Sequence, residues 1–395
     1  MATEFSSAAG AQFNPQDATG YAASGTPSTN YGNISQRTAA YAAKQMLQHA
    51  EPILVLSKFG QSKPMPKNSS DTIVFRRPVP FLVQRDDATN IADGTVKGQI
   101  TKLIEGVTPT VQQMQYEDVW VKLNQYGGLV KITDIVQDLS EDPVLSDAAM
   151  LLGEQAAETI EMLTWGKICG GSVVHRASSS ATPTARDDVD SVIALSQIRA
   201  VTRTLKRNRA KPVTTMMGSS VNFGTEAIEG GYIAFCHTDC EHDIRQLAGF
   251  IHLADYGSRK PLCPEEIGSV ENVRFVMTPL LTPFAGEGAK VLGDGTDAST
   301  AGDAAGMVGT SDGGAGAAEI INADVYPVVI IAKHAYGLVP LKGANAITPT
   351  VLNPGTPSKS DPLGQVGFVG WKSYFAATIL NESWMTRLEV TVTDL

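Results

Sequence analysis

Two stretches of this sequence alternate with a period of two: residues 72–83, where Ile73 and Phe75 alternate with Thr72 and Val74, and residues 118–135, where Val119, Val121 and Leu123 alternate with Trp120, Lys122 and Asn124. Alternation of this kind marks strands. The region between them, 84–113, is polar, so the simplest arrangement is a long two-stranded ribbon whose tip carries Asp86, Asp87, Asp93 and Lys97. Two strands have no second layer on which to bury their apolar face, and an isolated ribbon is not stable in water. This chain must therefore supply the ribbon with a surface to lie on, either from its own body or from another molecule.

Beyond the ribbon the pattern turns helical. Asp142 suits an N-cap with Pro143 at the first helical position, and Leu145, Ala149, Leu152, Ala156, Ile160 and Leu163 recur at steps of three and four until Gly170-Gly171. At about 1.5 Å per residue the helix runs roughly 40 Å, which makes it a strut. Glu154, Glu158 and Glu161 lie on its other face. Without the Glu-x-x-His motif that carboxylate-bridged metal bundles use, they read as a solvated surface. Asp187, Asp188 and Asp190 suit the amino terminus of a second helix, with Ile198, Val201 and Leu205 as its apolar stripe. That helix ends in Arg203, Lys206, Arg207, Arg209 and Lys211. The helix dipole accounts for cations there, and so does a basic patch facing DNA or an acidic neighbour. Upstream, residues 1–35 are polar with scattered Phe5, Phe13, Tyr21 and Tyr31, an arm, and 36–50 reads as a short helix closed by Pro52.

The remainder, from Pro212 to about Pro362, has shorter mixed segments, with strand-like runs at 270–278 and 325–332, and reads as a second domain. Within it, 286–318 is a Gly/Ala/Asp/Ser/Thr tract expected to be a long surface loop. Residues 368–392 are apolar and aromatic again, hence built into a core. A length of 395 residues suits two or three packed units. The charged fraction of 18% is low for a soluble domain, as expected of a surface partly covered by neighbours. A net charge of −10 argues against a protein that grips phosphate tightly, yet it is compatible with a wall that encloses DNA without holding it. Four cysteines make no disulfide framework, residues 1–35 contain no apolar stretch of the kind a signal peptide needs, and no apolar run approaches the roughly 20 residues of a spanning helix. No membrane association is expected, and assembly is expected in a reducing cytoplasm.

Residues 236–243, Cys-His-Thr-Asp-Cys-Glu-His-Asp, are dense in metal-ligand types. Zinc sites usually present paired Cys or His groups separated by a loop, whereas the only other cysteine within reach in sequence, Cys263, stands alone, so His237 and Asp243 are expected to make structural hydrogen bonds. A metal-dependent hydrolase on this cluster is the weakest reading. There is no phosphate loop or dinucleotide fingerprint. Neither catalytic residues nor any cofactor or metal is expected.

Read in order, a string of short motifs resembles the major capsid proteins of tailed double-stranded DNA phages, in particular the enquatrovirus-like podovirus coat-protein family. The motifs are Phe59-Gly60 with Pro66, Arg76-Arg77, Glu105-Gly106-Val107-Thr108-Pro109, Gln125-Tyr126-Gly127, Thr133-Asp134, Leu152-Gly153 with Gln155-Ala156, and Asn208-Arg209-Ala210-Lys211. They continue with His237, Asp243-Ile244-Arg245, Tyr256-Gly257, Arg274-Phe275, Asp324-Val325-Tyr326, Asp361-Pro362-Leu363-Gly364, Gly370-Trp371-Lys372, Leu380-Asn381 and Trp384-Met385.

The resemblance implies an α+β Hong-Kong-97-like coat fold in five parts: an amino-terminal arm and short helix (1–50), an extended two-stranded loop (51–137), a peripheral domain with a long spine helix (138–212), an axial domain (213–362, variable loop 286–318) and a carboxy-terminal return (363–395). It implies a non-enzymatic virion protein that assembles as pentamers and hexamers into an icosahedral shell around double-stranded DNA, without sequence-specific binding. A separate scaffolding protein, a portal protein and possible decoration proteins are the partners it implies. An encapsulin-like compartment for cargo enzymes is the alternative. Arg76, Arg77, Glu105, Tyr126, Asp134, Arg209, Trp371 and Trp384 are the candidates for inter-subunit contacts, the two ribbon arginines by bidentate pairing with a neighbour's carboxylates.

Overall fold

The computed structural model describes residues 53–66, 68, 70–79, 81–83, 96–98, 105–108, 114–139, 144–180, 183–217, 225–257, 261–292, 303–311, 321–341, 348–352 and 361–395. The expected arm and short helix, the ribbon tip at 84–95, and the Asp142-Pro143 cap lie outside the described residues.

The ribbon is present. Strand β1 (Thr72–Pro78) runs antiparallel to β2 (Tyr116–Lys122), with Thr72 opposite Lys122 and Pro78 opposite Tyr116. Further out, Phe81–Val83 pairs in parallel with Val96–Gly98. The single strand expected over 118–135 is two strands: β2 ends at Lys122 and β3 (Asn124–Thr133) begins after Leu123, whose amide bonds Asp71 O at 2.9 Å. That one-residue break lets the chain leave the ribbon and enter a different sheet.

Helix α1 (Val144–Ile168) has 25 residues, about 37 Å at ~1.5 Å per residue. Of the apolar stripe read from the spacing, Ala149, Leu152, Ala156 and Ile160 are buried and Leu163 is half-buried, and Ala148, Trp165 and Ile168 are buried beside them. The small residues Ala148, Ala156 and Ala157 bring it close to the sheet that holds β3. Helix α2 (Leu195–Arg207) starts later than the acidic run implied. The run instead forms a 3-10 turn at Arg186–Asp188, where Asp188 accepts from the amides of Thr184 (2.7 Å) and Ala185 (3.1 Å), while Asp190 accepts from Ser179. Short acidic side chains bonded their own local backbone there in preference to a helix end.

The larger sheet has eight strands among the described residues. Its centre is β4 (Thr225–Cys236), β5 (Val273–Met277) and β6 (Tyr326–Ile331). Their side chains divide by parity, as strand geometry requires. Ile233, Phe235, Val276, Val329 and Ile331 face the core that contains α1, whereas Tyr232, Ala234, Cys236, Phe275, Val328 and Ile330 face the core that contains α2. Every residue of β5 and β6 is buried, so β6 reads as an unbroken apolar run and β5 as one interrupted only by Arg274, which is paired with Glu266.

A second sheet is organised by β7 (Tyr336–Pro340) and β8 (Val366–Ile379). Strand β8 pairs with β3 from Val366↔Thr133 to Phe375↔Asn124, with Thr348–Leu352 along its other edge from Phe368 to Lys372, and with β7 from Phe375 to Ile379. Strand β9 (Met385–Val390) returns to the larger sheet beside β6. The apolar carboxy-terminal segment is thus built into both sheets, as its composition implied. The tract at 286–318 is more ordered at its base than expected of a surface loop: Lys290–Leu292, Gly309–Ser311 and Ile321–Ala323 form a three-stranded sheet over a small core of Ala289, Ala304 and Ala323. Small residues suffice there because the strands are short and close together.

Candidate functional site

The ribbon has two unlike faces. Inward, Ile73, Phe75, Val119 and Val121 pack on Met65, Val339, Leu341, Ala376 and Leu380 of the same chain. The base of the ribbon therefore finds its second layer within its own subunit, the first of the two alternatives the sequence left open. Outward, Val74, Arg76 and Pro78 of β1 lie opposite Trp120, Asp118 and Tyr116 of β2. Trp120 is 70% exposed, and Tyr116 and the nearby Met114 are exposed as well. Large aromatic rings left in water on a strand whose other face is packed mark a binding surface.

Arg76 and Arg77 each have a carboxylate within the chain. Arg76 donates Nε and Nη2 to the two oxygens of Asp118, both at 2.8 Å, a bidentate pair that holds the Asp118 carboxyl below its ordinary range. The guanidinium also stands 5.6 Å from the Tyr116 ring. Arg77 pairs with Glu117 on the inward face and lies 5.6 Å from the ring of Trp384. Beneath it, Phe75, Val119, His334, Leu380 and Trp384 line a cavity of about 210 Å³ between ribbon and body.

Among the other expected contact residues, Glu105 is exposed in a turn beside Gly106, whose φ of +80° suits glycine. Tyr126 is half-buried on β3, and Asp134 opens the short helix Asp134–Leu139. Arg209 is exposed just past the end of α2, with a φ of +56°. Trp371 faces inward: only 5% exposed, it donates Nε1–H to Gln155 Oε1 of α1 at 3.1 Å. Trp384 is half-buried and donates Nε1–H to Asn208 O at 3.3 Å. The ribbon thus unites Arg76 and Arg77, Trp384 joins them from below, and the remaining five are dispersed. Gly128 explains how β3 and α1 approach so closely, since a Cβ there would overlap Gln155 Oε1 and come 2.8 Å from Trp371 Nε1.

Glu161 is a correction. Expected on a solvated helix face, it is 1% exposed. Its carboxylate accepts from Leu56 N at 2.9 Å, from Ser57 N at 3.4 Å and from Ser57 Oγ at 3.3 Å, so it caps the 3-10 turn Leu56–Lys58 and clasps the segment that follows the arm onto the spine helix. Tyr336, fully buried, donates its hydroxyl to Leu56 O from the other side. Burial pushes the Glu161 carboxyl up to about 7, outweighing the donors that favour its charge. Spacing alone could not reveal this, because what covers Glu161 comes from a segment 105 residues earlier in the chain.

The cysteine- and histidine-rich run is scaffolding. Cys236 and Cys240 are buried, and desolvation raises both thiols well above their ordinary value, so neither is poised as a thiolate nucleophile. Asp243 accepts from Thr393 N (3.1 Å) and Thr393 Oγ1 (2.8 Å), the structural role expected of it, and Asp239 accepts from Tyr326 OH at 2.9 Å. Among the described residues no group of three or more His, Cys, Asp or Glu is arranged to hold a metal ion. The densest charge cluster is Glu389, fully buried, with Arg176, Arg186 and Arg387 each about 3 Å away. It joins β9 to the chain after α1. The arrangement is suited to recognition by surface, with an apolar outer ribbon face, an exposed Leu151 and Met162 on α1, and β3 presenting exposed Leu129. Among the described residues no strand pairs the free edge of β3, and such an edge is a template for another chain.

The model of the phage capsid protein family matches residues 116–382. The major capsid protein of Pseudomonas phage KPP21 is 23% identical over 388 residues, covering 90% of this chain and 92% of that one. Among solved structures, the capsid of Ralstonia phage GP4 superposes with a TM-score of 0.57 at 12% identity, covering 86% of this chain and 91% of that chain. The capsid asymmetric unit of cyanophage Pam1 does so with a TM-score of 0.50 at 13% identity, covering 88% and 93%.

Proposed function

The chain belongs to the phage capsid protein family and has the α+β Hong-Kong-97-like coat fold, and from that premise we propose how it builds a shell. It is a major capsid protein, and its place is the virion capsid. An encapsulin-like compartment is not favoured by this family membership. In our reading the subunits form pentamers and hexamers that close into an icosahedral shell around double-stranded DNA, in the cytoplasm of the bacterial host. A separate scaffolding protein, a portal and possible decoration proteins complete the particle, and the chain has no catalytic role. The ordered motif string supports an enquatrovirus-like subfamily.

On this frame residues 1–50 are the arm, 51–137 the extended loop, 138–212 the peripheral domain, 213–362 the axial domain and 363–395 the return. The observation that carries the assembly reading is the outer ribbon face. Its inner face is already satisfied, so Trp120, Tyr116 and Met114 have no intramolecular reason to be apolar. Covering Trp120 with a neighbouring copy removes ~140 Å² of apolar area, about 3.5 kcal/mol per contact at ~25 cal/mol/Å². The Arg76–Asp118 pair lies on the same face and offers a neighbour a fixed guanidinium plane. The other expected contact residues, Arg77, Glu105, Tyr126, Asp134, Arg209, Trp371 and Trp384, remain candidates for the same interfaces.

The test is expression of Trp120→Glu, and separately of Arg76→Ala with Arg77→Ala, followed by electron microscopy and sedimentation. Soluble, folded subunits without shells are expected. Particles of normal size and yield from both variants would refute the ribbon's role.

A further inference from the structure

Helix α2 is two-sided in a way the shell fold does not require. Ile198, Val201, Thr202 and Leu205 are buried against the larger sheet. The outward side carries Arg199, Arg203, Lys206 and Arg207, and residues 195–217 contain six cations and no acid, in a chain whose acids outnumber its cations 41 to 31. The helix dipole favours cations only in the last turn. Arg203 stands before that turn, and Arg209 and Lys211 lie beyond it. Lys333 is brought alongside by a hydrogen bond from its amide to Lys211 O at 2.9 Å. Burial, with Lys333 and Lys211 close by, holds the His334 imidazole below its ordinary value.

At one end Arg199 is paired with Glu271 (Nε to Oε1, 2.7 Å). Arg203, Lys206, Arg207, Arg209, Lys211 and Lys333 form no ion pair with a described acid, and all but the half-exposed Lys333 are exposed. The partner of such a surface is an anion. Two features favour a polyphosphate over a protein. A stable protein interface needs an apolar centre, and among the described residues none of the exposed large apolar side chains falls on α2, on 208–216 or beside Lys333. Phosphate contacts need only cations. Arg203 and Arg207 are about 6 Å apart along the helix, and duplex DNA carries one charge per ~1.7 Å of axis, so each cation has a phosphate within reach.

We propose that this face lines the lumen and meets the sugar-phosphate backbone of the enclosed DNA without reading its sequence. The idea rests on the shell reading above. The acidity of the whole chain keeps the wall from gripping DNA, while the stripe gives it a local, salt-screened contact.

The test measures binding of a 30-base-pair mixed-sequence duplex to the purified full-length subunit by fluorescence anisotropy at several salt concentrations. The wild type is compared with Arg203→Gln/Lys206→Gln/Arg207→Gln and with Arg203→Gln alone. Losing three phosphate contacts should reduce the slope of log K against log salt by about 2.7, and losing one by about 0.9. Between 50 and 200 mM salt the wild type should lose about 40-fold more affinity than the triple variant. Equal slopes overturn the proposal. So does a loss of binding to poly-glutamate with duplex binding unchanged, which assigns the stripe to an acidic protein, and so do closed shells that bind external duplex as tightly as free subunits. Failure of the wild type to form shells would instead count against the shell reading, and the slopes would still report whether the stripe contacts phosphate.

Discussion

Replacing Glu161 by Gln isolates the clasp between the segment after the arm and the spine helix. The wild-type carboxyl titrates near 7 in the folded chain, against an ordinary 4.5. The folded state therefore holds a proton that the unfolded state has released throughout the window from about 4.5 to about 7. Linkage then sets the sign: stability is greatest below about 4.5 as far as this group is concerned, falls as pH rises, and levels off above about 7. A difference of about 2.5 pH units at ~1.36 kcal/mol each gives a loss of about 3 kcal/mol. Glutamine stays neutral, keeps an oxygen to accept from Leu56 N, and can donate to Ser57 Oγ. The groups facing Glu161 are the Leu56 and Ser57 amides, the Ser57 hydroxyl and Tyr336, so no other charge takes over the titration. Urea denaturation of unassembled subunits at pH 5, 6, 7 and 8 should show the variant gaining about 2.5 kcal/mol on the wild type between pH 5 and pH 8, because part of the loss has already occurred by pH 5. Protection of the Leu56 and Ser57 amides, measured as exchange relative to the intrinsic base-catalysed rate, should fall above pH 7 in the wild type alone. Parallel pH profiles for the two proteins would refute the clasp.

Two further substitutions test the frame that holds the ribbon. Gly128→Ala places a methyl group against Gln155 and Trp371 and should break their hydrogen bond, lowering stability by about 1–3 kcal/mol; an unchanged thermal midpoint would show that β3 can shift to admit it. Glu389→Gln removes the one buried carboxylate shared by Arg176, Arg186 and Arg387 and leaves three guanidinium groups crowded together. A loss of about 3–5 kcal/mol is expected from denaturant unfolding, and a loss below ~1 kcal/mol would mean that water already shields the cluster.

Periodicity alone determined the elements whose partners are close in sequence or uniform in kind. The ribbon strands, the spine helix, the apolar runs at 273–277 and 326–331 and the core-bound carboxy terminus are all legible from spacing, because a strand or helix shows its buried face as a repeat. Charge counting located the basic end of α2 for the same reason, since six cations without an acid are visible before anything is folded.

Tertiary structure decided what each surface meets. Glu161 shares its helical spacing with Glu154 and Glu158, and only the arrival of Leu56 and Ser57 from far upstream makes it a buried clasp. The ribbon's apolar face could have waited for a neighbour, but Met65, Val339 and Leu380 come together to cover it, which leaves Trp120 on the side that remains open. A side chain's repeat tells which way it points along its own element. Whether that direction ends in protein or water depends on segments the repeat does not contain.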